Sequence, residues 1–530
     1  MKKIYTIYQE YYKNNKLTLL FYVLLVILNQ SFFVVTPIII SKLIDSAVYF
    51  ENINKFLYYV FLALCLKVLF AVIMPLRYYY LSKIESEATV IQKEKIVSRL
   101  PMLMHNTLRN ITIGYLLQLV DEDLENTKSL LITDILDLIV EIVLFIVVLI
   151  IVLKINFLLF LLMICVMPPF ALISKLMIPK IQKLSHEYII KSEKIKDLTD
   201  EIYNGSITIK LVNAYNFINK KVNILISEYK NILLKCVKIN IIYDHLLVTG
   251  FLSLNNLAIT VLGAYLVIQG HITVGVITLL SSYFSRLWTS FEYFMSFLRN
   301  YKIKMISVDR INNFYNLPLE PNSGLIAPEF ESYEIKNVSY CIEEQHILIN
   351  TTFNIKKGDT VLITGANGSG KSTFVRLLVN LITPSTGSIL YNGIELSNYN
   401  LNSLRGRIGY IPAEPFVFSG NLEDNFFGKS FTSDFIKVER YLNISKDGEN
   451  LSSGEKKKLQ LTCGMLQEND VYILDEPLNF VDESSKKDIV ETITKDFFGK
   501  TLIIISHDIS LFDFCQYRYI MKNGQLLKIN

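Results

Sequence analysis

Apolar residues come in long unbroken runs over about the first three hundred positions of this chain and in short alternating runs after that. Six stretches are long enough to form membrane-crossing helices, near 18–42, 56–80, 133–153, 157–178, 246–268 and 273–297. Ahead of the first, Ile4, Ile7, Tyr8, Tyr11 and Tyr12 recur at helical spacing among lysines, the pattern of a short helix lying on a membrane surface. From about Glu334 the pattern switches to apolar strands alternating with amphipathic helices, as in an α/β domain. The proline-bearing stretch Pro318-Leu319-Glu320-Pro321-Asn322 marks the change. The pattern predicts a helical membrane domain over 1–310, a linker over 311–333 and an α/β domain over 334–530.

The connections between the apolar runs alternate in length. Those near 43–55, 154–156 and 269–272 are short, whereas 81–132 and 179–245 are long, polar and lysine-rich. Lys2, Lys3, Lys13 and Lys16 fall on the same side as the long loops. The positive-inside tendency then places both termini and both long loops in the cytoplasm of a multi-pass membrane protein. The helical periodicity of those loops predicts that the membrane helices continue well below the bilayer.

Composition agrees with this reading. Hydrophobic residues make up 51% of the 530 residues and charged residues 19%, unlike an ordinary soluble protein. The net charge of +4 gives no support to a nucleic-acid partner. The six cysteines are scattered without a CxxC pair and read as reduced thiols, and the six histidines do not cluster into a metal site. The first apolar run lacks a small-residue cleavage site, so the chain is expected to keep its N-terminus. Lys-, Ile-, Asn- and Tyr-rich usage points to a bacterial source.

The chemistry is concentrated in the second half. Thr360 to Thr364 reads as a buried strand running into Gly365-Ala366-Asn367-Gly368-Ser369-Gly370-Lys371-Ser372, after which Thr373 to Leu381 reads as a helix. Strand, Gly-rich loop and helix in this order form a phosphate-binding loop. Glycines let backbone N–H groups turn towards phosphate oxygens, Lys371 sets a cation against the outer phosphates, and the Ser372 hydroxyl suits Mg2+. A second strand, Val471 to Leu474, ends in Asp475-Glu476. Asp475 fits a Mg2+ ligand and Glu476 a base that polarises water. A third strand, Thr501 to Ser506, ends in His507, placed to bond a terminal phosphate.

These pieces in this order resemble the nucleotide-binding domain of ABC transporters. Leu451-Ser452-Ser453-Gly454-Glu455 is similar to the family signature, and Lys456 to Met465 looks like the helix that carries it. The resemblance implies that Ser452, Ser453, Gly454 and Glu455 serve an ATP site shared with a partner chain, that Asp482 is the D-loop aspartate, and that the cofactors are ATP and Mg2+. Ser307-Val308-Asp309-Arg310-Ile311 resembles the helix joining the two domains of ABC exporters. Met104 to Asn110 and Asp200 to Asn213 resemble their coupling helices. The implied fold is an all-α six-helix transmembrane domain followed by an α/β P-loop ATP-binding domain. The implied protein is a half-transporter in the plasma membrane, surrounded by lipid and working with a second copy or a related partner chain to export a substrate. A peptide cargo is hinted at by the signature form. A drug-like or lipid cargo, or a membrane regulator that does not pump, are the alternatives.

Two positions depart from the family pattern. Gly409-Tyr410-Ile411-Pro412 is normally followed by glutamine, and here by Ala413. The usual adenine-stacking aromatic aligns with Ile342, for which Tyr340 is the candidate substitute. The segment between Ala413 and the signature is also short for the family.

Charges inside the apolar runs are the remaining signal. Asp134, Asp137 and Glu141 share one helix face by spacing. They contact a cationic cargo, or only Glu141 is deep and pairs with Arg286 or Lys67. Asn255 and Asn256 line the same cavity or bond across helices. Pro37, Pro75, Pro168 and Pro169 are expected to kink or break their helices.

Overall fold

The structure is a computed structural model that describes all residues except 1, 50–52, 132, 343–344, 428–443, 446–449, 468, 480, 482, 509–511 and 530. The chain forms two compact units, one of residues 1–99 with 112–316, the other of residues 100–111 with 317–530.

The first unit is helical. α1 (Lys2–Asn14) precedes the long α2 (Lys16–Val48) and α3 (Ile53–Arg99). Ile7, Tyr8 and Tyr11 of α1 are buried against the unit, and the Tyr8 hydroxyl is 3.0 Å from Thr127 Oγ1. The short helix α4 (His105–Arg109) lies in the segment that belongs to the second unit. Then follow α5 (Thr133–Ile155), α6 (Phe157–Cys165), α7 (Met167–Asn204), α8 (Ser206–Leu211), α9 (Tyr215–Ile241), α10 (Gly250–Ile268) and α11 (Val274–Tyr315). Among the described residues, five helical stretches are long and apolar enough to cross a membrane: Lys16–Val48, Ile53–Met102, Ile113–Ile155, Phe157–Asn204 and Tyr215–Ile268. The sixth expected span is the first half of α11. It is one continuous helix, and its first half carries Arg286 and Glu292 together with several serines and threonines, which makes it less apolar than the other five.

Local chemistry sets the turns and breaks. Asn156 caps α6, its Oδ1 accepting from the N–H groups of Leu158 and Leu159 at 3.0 and 3.1 Å, so a one-residue connection reverses the chain after α5. The break between α6 and α7 falls at Val166, with Pro168 and Pro169 in the first turn of α7, where a missing N–H costs least. Pro37 and Pro75 sit inside α2 and α3, which run on past them. Near the end of α2, Asp45 accepts from Thr273 Oγ1 and from Gly275 N, both at 2.7 Å. A Cβ on Gly275 would meet Ser41 O at 2.1 Å, so only glycine permits this approach of α2 and α11. An aromatic group of Phe170, Phe251, Phe284, Trp288 and Phe291 joins α7, α10 and α11 in the interior.

The second unit is α/β. A four-stranded antiparallel sheet has the order β2-β1-β4-β5, with β1 Ser332–Ile342, β2 Gln345–Lys356, β4 Thr386–Tyr391 and β5 Ile394–Glu395. The main sheet has the order β10-β9-β3-β8-β7-β6. Its strands are β3 Thr360–Gly365, β6 Ile408–Ile411, β7 Val471–Asp475, β8 Thr501–Ile505, β9 Tyr517–Lys522 and β10 Gln525–Lys528. All pairings in this sheet are parallel except β9 with β10. β7 and β8 are buried along their whole length, as expected of apolar runs with helices on both faces. Among the described residues, the helices longer than a single turn are α12 (Lys371–Leu378), α13 (Leu401–Arg405), α14 (Ser453–Met465) and α15 (Glu483–Asp496).

The linker is fastened within this unit. Leu103 bridges Leu319, Met104 N donates to Pro318 O at 3.2 Å, and Glu320 N donates to Met102 O at 2.8 Å. The Arg405 guanidinium grips both Glu320 oxygens at 2.5 and 2.9 Å.

Candidate active site

β3, β7 and β8 end on the same edge of the main sheet, and the candidate residues follow those ends. This is where a parallel α/β sheet builds its ligand crevice. β3 delivers the loop Gly365–Gly370 and α12. Three loop glycines have left-handed φ values: Gly365 at 151°, Gly368 at 77° and Gly370 at 107°. Space forbids a side chain as well, since a Cβ would come within 2.5 Å of Met521 O at Gly365 and within 2.8 Å of Leu348 Cδ2 at Gly370. The loop is thereby fixed in a form whose amides and helix N-terminus suit an anion.

Lys371 is buried at 8% exposure, and its Nζ donates to Gly365 O at 2.7 Å and Ala366 O at 3.0 Å, folding back along the loop it follows. The same Nζ lies 3.4 Å from His507 Nε2. Ser369 Oγ is buried and, among the described residues, without a hydrogen-bond partner, as a hydroxyl aimed at a phosphate would be. Ser372 and Thr373 open α12 beside it.

Asp475 closes β7 at 4% exposure, and among the described residues its side chain accepts a single long hydrogen bond, 3.4 Å from the Tyr410 hydroxyl. Burial raises its pKa, opposed by the Tyr410 contact and by Lys457 and Lys371. A buried carboxylate with one weak partner beside a phosphate loop fits a cation ligand. Glu476 follows with φ 45°, a costly value for a glutamate, fixed by its N–H donating to Ile505 O at 2.8 Å. Its Oε1 lies 3.2 Å from His507 Nε2. Burial pushes its pKa upward against the pull of His507 and Lys371, which strengthens it as a proton acceptor. Lys371, Glu476 and His507, far apart in sequence, therefore meet in one cluster.

The signature region folds as a capped helix. Ser452 Oγ accepts from Glu455 N at 3.2 Å, and Glu455 Oε2 accepts from Ser452 N at 2.8 Å, a reciprocal capping box. Glu455 thus fixes the helix start, and Ser453 and Gly454 occupy its first turn. Asp482 lies outside the described residues. Tyr340 packs partly into the core and Ile342 is 45% exposed; register irregularities on both sides of Tyr340 interrupt the regular alternation of β1.

In the helical unit, Glu141 and Arg286 face each other at 2.6 Å, and Ser290 Oγ donates to the second Glu141 oxygen at 2.6 Å. Gln30 Oε1 accepts from Arg286 at 3.1 Å, and the guanidinium stacks 4.9 Å over the Phe33 ring. Asp137 pairs with Arg77 at 3.2 Å and Asp134 with Lys304 at 2.6 Å. Each acid of the α5 ladder therefore has a cation from another helix, whereas Lys67 is exposed. Asn255 is 3% exposed, and its Nδ2, like Asn256 Oδ1, lacks a hydrogen-bond partner among the described residues.

Sequence reasoning missed one site residue. Lys457 of α14 is fully buried, and its Nζ donates to Pro412 O at 2.8 Å and Ala413 O at 3.2 Å. It stands in the run Lys456–Lys458, which reads as a solvated face, and no local signal distinguishes the middle lysine.

Residues 19–291 match the ABC transporter transmembrane region, and residues 348–479 match ABC transporter. The lactococcin-A transport/processing ATP-binding protein LcnC of Lactococcus lactis subsp. lactis is 26% identical over 400 residues, covering 70% of this chain and 55% of that protein. The chain spans about half the length of the curated relatives it first matches. The uncharacterized ABC transporter ATP-binding protein YfiC of Bacillus subtilis (strain 168) is 23% identical over 554 residues, 98% of this chain and 90% of that one. A solved bacterial Atm1-family ABC exporter with ATP bound superposes with TM-score 0.84 at 17% identity, over 97% of this chain and 95% of that chain.

Proposed function

This chain belongs to the ABC transporter family, with transmembrane and nucleotide-binding regions on one polypeptide, and from that premise we propose that it is a half-transporter that hydrolyses ATP to export a peptide across a bacterial plasma membrane. The observation that carries the hydrolytic part is the meeting of Lys371, Glu476 and His507 at the end of the parallel strands.

In this reading the loop amides and Lys371 bind the phosphates of ATP, and Tyr340 is the candidate contact for adenine. Ser372 and Asp475 would hold Mg2+, which when bound neutralises charge on the phosphate oxygens. Glu476 accepts the proton of the attacking water, and His507 orients Glu476 while reaching towards the terminal phosphate. A second copy contributes its Ser452, Ser453 and Gly454 to each site, so the working unit is a dimer of two identical chains. Both termini face the cytoplasm, by the lysine bias of the long loops.

Peptide is favoured as cargo because relatives at 26% identity carry lactococcin transport in their names. The Glu141–Arg286–Ser290 network is neutralised within the bundle, which supports a structural or gating role over direct contact with a cationic cargo. Asn255 and Asn256 retain polar atoms to offer and remain the cavity candidates.

Inside-out vesicles holding the purified protein test the proposal. ATP should drive uptake of a labelled peptide and be consumed faster in its presence. ATP consumption with no uptake across a panel of peptides and lipophilic cations would leave a motor without a pump.

A further inference from the structure

α14 carries three consecutive lysines, of which the middle one, Lys457, is completely withdrawn from solvent. An ammonium in that position costs several kcal/mol unless hydrogen-bonded to fixed partners. Here the partners are the carbonyls of Pro412 and Ala413, at 2.8 and 3.2 Å, in the segment that leaves β6. Two residues before that segment, Tyr410 donates to Asp475. The Asp475 and Glu476 carboxylates both act on the Lys457 charge, while burial pulls its pKa down to about 8. Ala413 offers only a methyl group, so the segment has no polar side chain at that position with which to hold itself.

We infer that Lys457 is a positioning residue of the hydrolytic site: from the signature helix it ties down the Pro412–Ala413 segment, which continues the strand whose Tyr410 bonds Asp475. The tie makes one mechanical piece of three parts that the chain separates by up to about sixty residues, namely the end of β6, the end of β7 and the helix α14. Any movement of α14 is then passed to the segment after β6 through two hydrogen bonds. Both acceptors are backbone carbonyls, so the tie does not depend on the side chain at 413. Catalysis by this piece rests on the hydrolytic reading proposed above, whereas the tie itself does not.

The test uses the full chain in lipid nanodiscs with Lys457→Met, Lys457→Gln and the double variant Lys457→Met/Ala413→Gln. Amide exchange is followed without nucleotide, and phosphate release is followed against ATP concentration. In Lys457→Met, exchange over 413–418 should quicken by about tenfold while β3 and β8 keep their protection. In the same variant kcat should fall by about tenfold with KM changed less than about threefold. Lys457→Gln, which keeps a donor, should recover part of both, and the double variant should recover part of kcat. Unchanged exchange over 413–418 in Lys457→Met overturns the inference. So does protection lost evenly across β3, β7 and β8 in both single variants, or a raised KM with kcat unchanged. If the parent protein releases no phosphate, the hydrolytic reading fails by itself, and the tie still stands or falls on exchange.

Discussion

His507 Nε2 stands 3.2 Å from Glu476 Oε1, although the two residues come from the ends of different strands. The carboxylate in this contact sits on a backbone already in a left-handed conformation. Glu476→Gln keeps the shape and removes the base. Phosphate release should drop by about a hundredfold or more while ATP is still bound. His507→Ala should slow release as well, by loosening Glu476. Single-turnover assays with radiolabelled ATP read both, and steady hydrolysis by Glu476→Gln would show that another group activates water.

Arg286 is held by Glu141, Gln30 and the Phe33 ring inside the helical unit. Arg286→Met leaves the buried Glu141 carboxylate without a counter-charge and with Ser290 Oγ as its remaining partner, a loss of about 3–5 kcal/mol. Adding Glu141→Leu should restore much of that, because the orphaned charge is gone. Thermal unfolding of the purified variants in detergent gives the comparison. A loss in the double variant equal to the sum of the losses in Arg286→Met and Glu141→Leu alone would mean that the pair is not energetically coupled.

The membrane helices and the phosphate loop were legible because both are written locally. A helix that crosses lipid needs a continuous apolar run, and a loop that wraps phosphate needs glycines at fixed spacing. What could not be read depends on packing between distant segments. The sequence offered Lys67 or Arg286 as the partner of Glu141, and only the arrangement of α2, α5 and α11 decides for Arg286. Asp45 gave no sign that it would cap the start of α11 through Thr273 and Gly275. Lys457 is the extreme case, since its two flanking lysines make it look solvated while the segment after β6, more than forty residues earlier, buries it.

The Arg405–Glu320 pair fastens the linker to the nucleotide-binding unit, and Arg405 also donates to Val379 O and Asn380 O just beyond α12. Arg405→Met removes this fork from a partly exposed site. Local opening of the linker should become easier by about 1.4 kcal/mol, or tenfold in the open population. Limited proteolysis at 317–325 should quicken accordingly, with ATP affinity little changed. A linker equally resistant in the variant would place its anchorage in the backbone pairing of Leu103 with Leu319.

Lys457 also predicts a pH signature. Its pKa falls from the ordinary 10.5 to about 8, chiefly through burial, with Asp475 and Glu476 opposing the shift. Between those values the unfolded chain binds more protons at this position than the folded one, so this group contributes stability that increases as pH rises. Below about pH 8 both states carry the proton and the cost of burying the ammonium is present in full. Titrating groups that do not feel Lys457 cancel when the parent and Lys457→Met are compared at each pH, and the Asp475 and Glu476 carboxylates, which do feel it, are ordinarily ionised well below pH 8. The stability of the parent relative to the variant should therefore climb from pH 8 towards 10.5 and stay level from pH 6 to 7.5. Calorimetry of both proteins across that range measures the difference. A flat difference throughout would mean that Lys457 keeps an ordinary pKa, and hence that water reaches its ammonium.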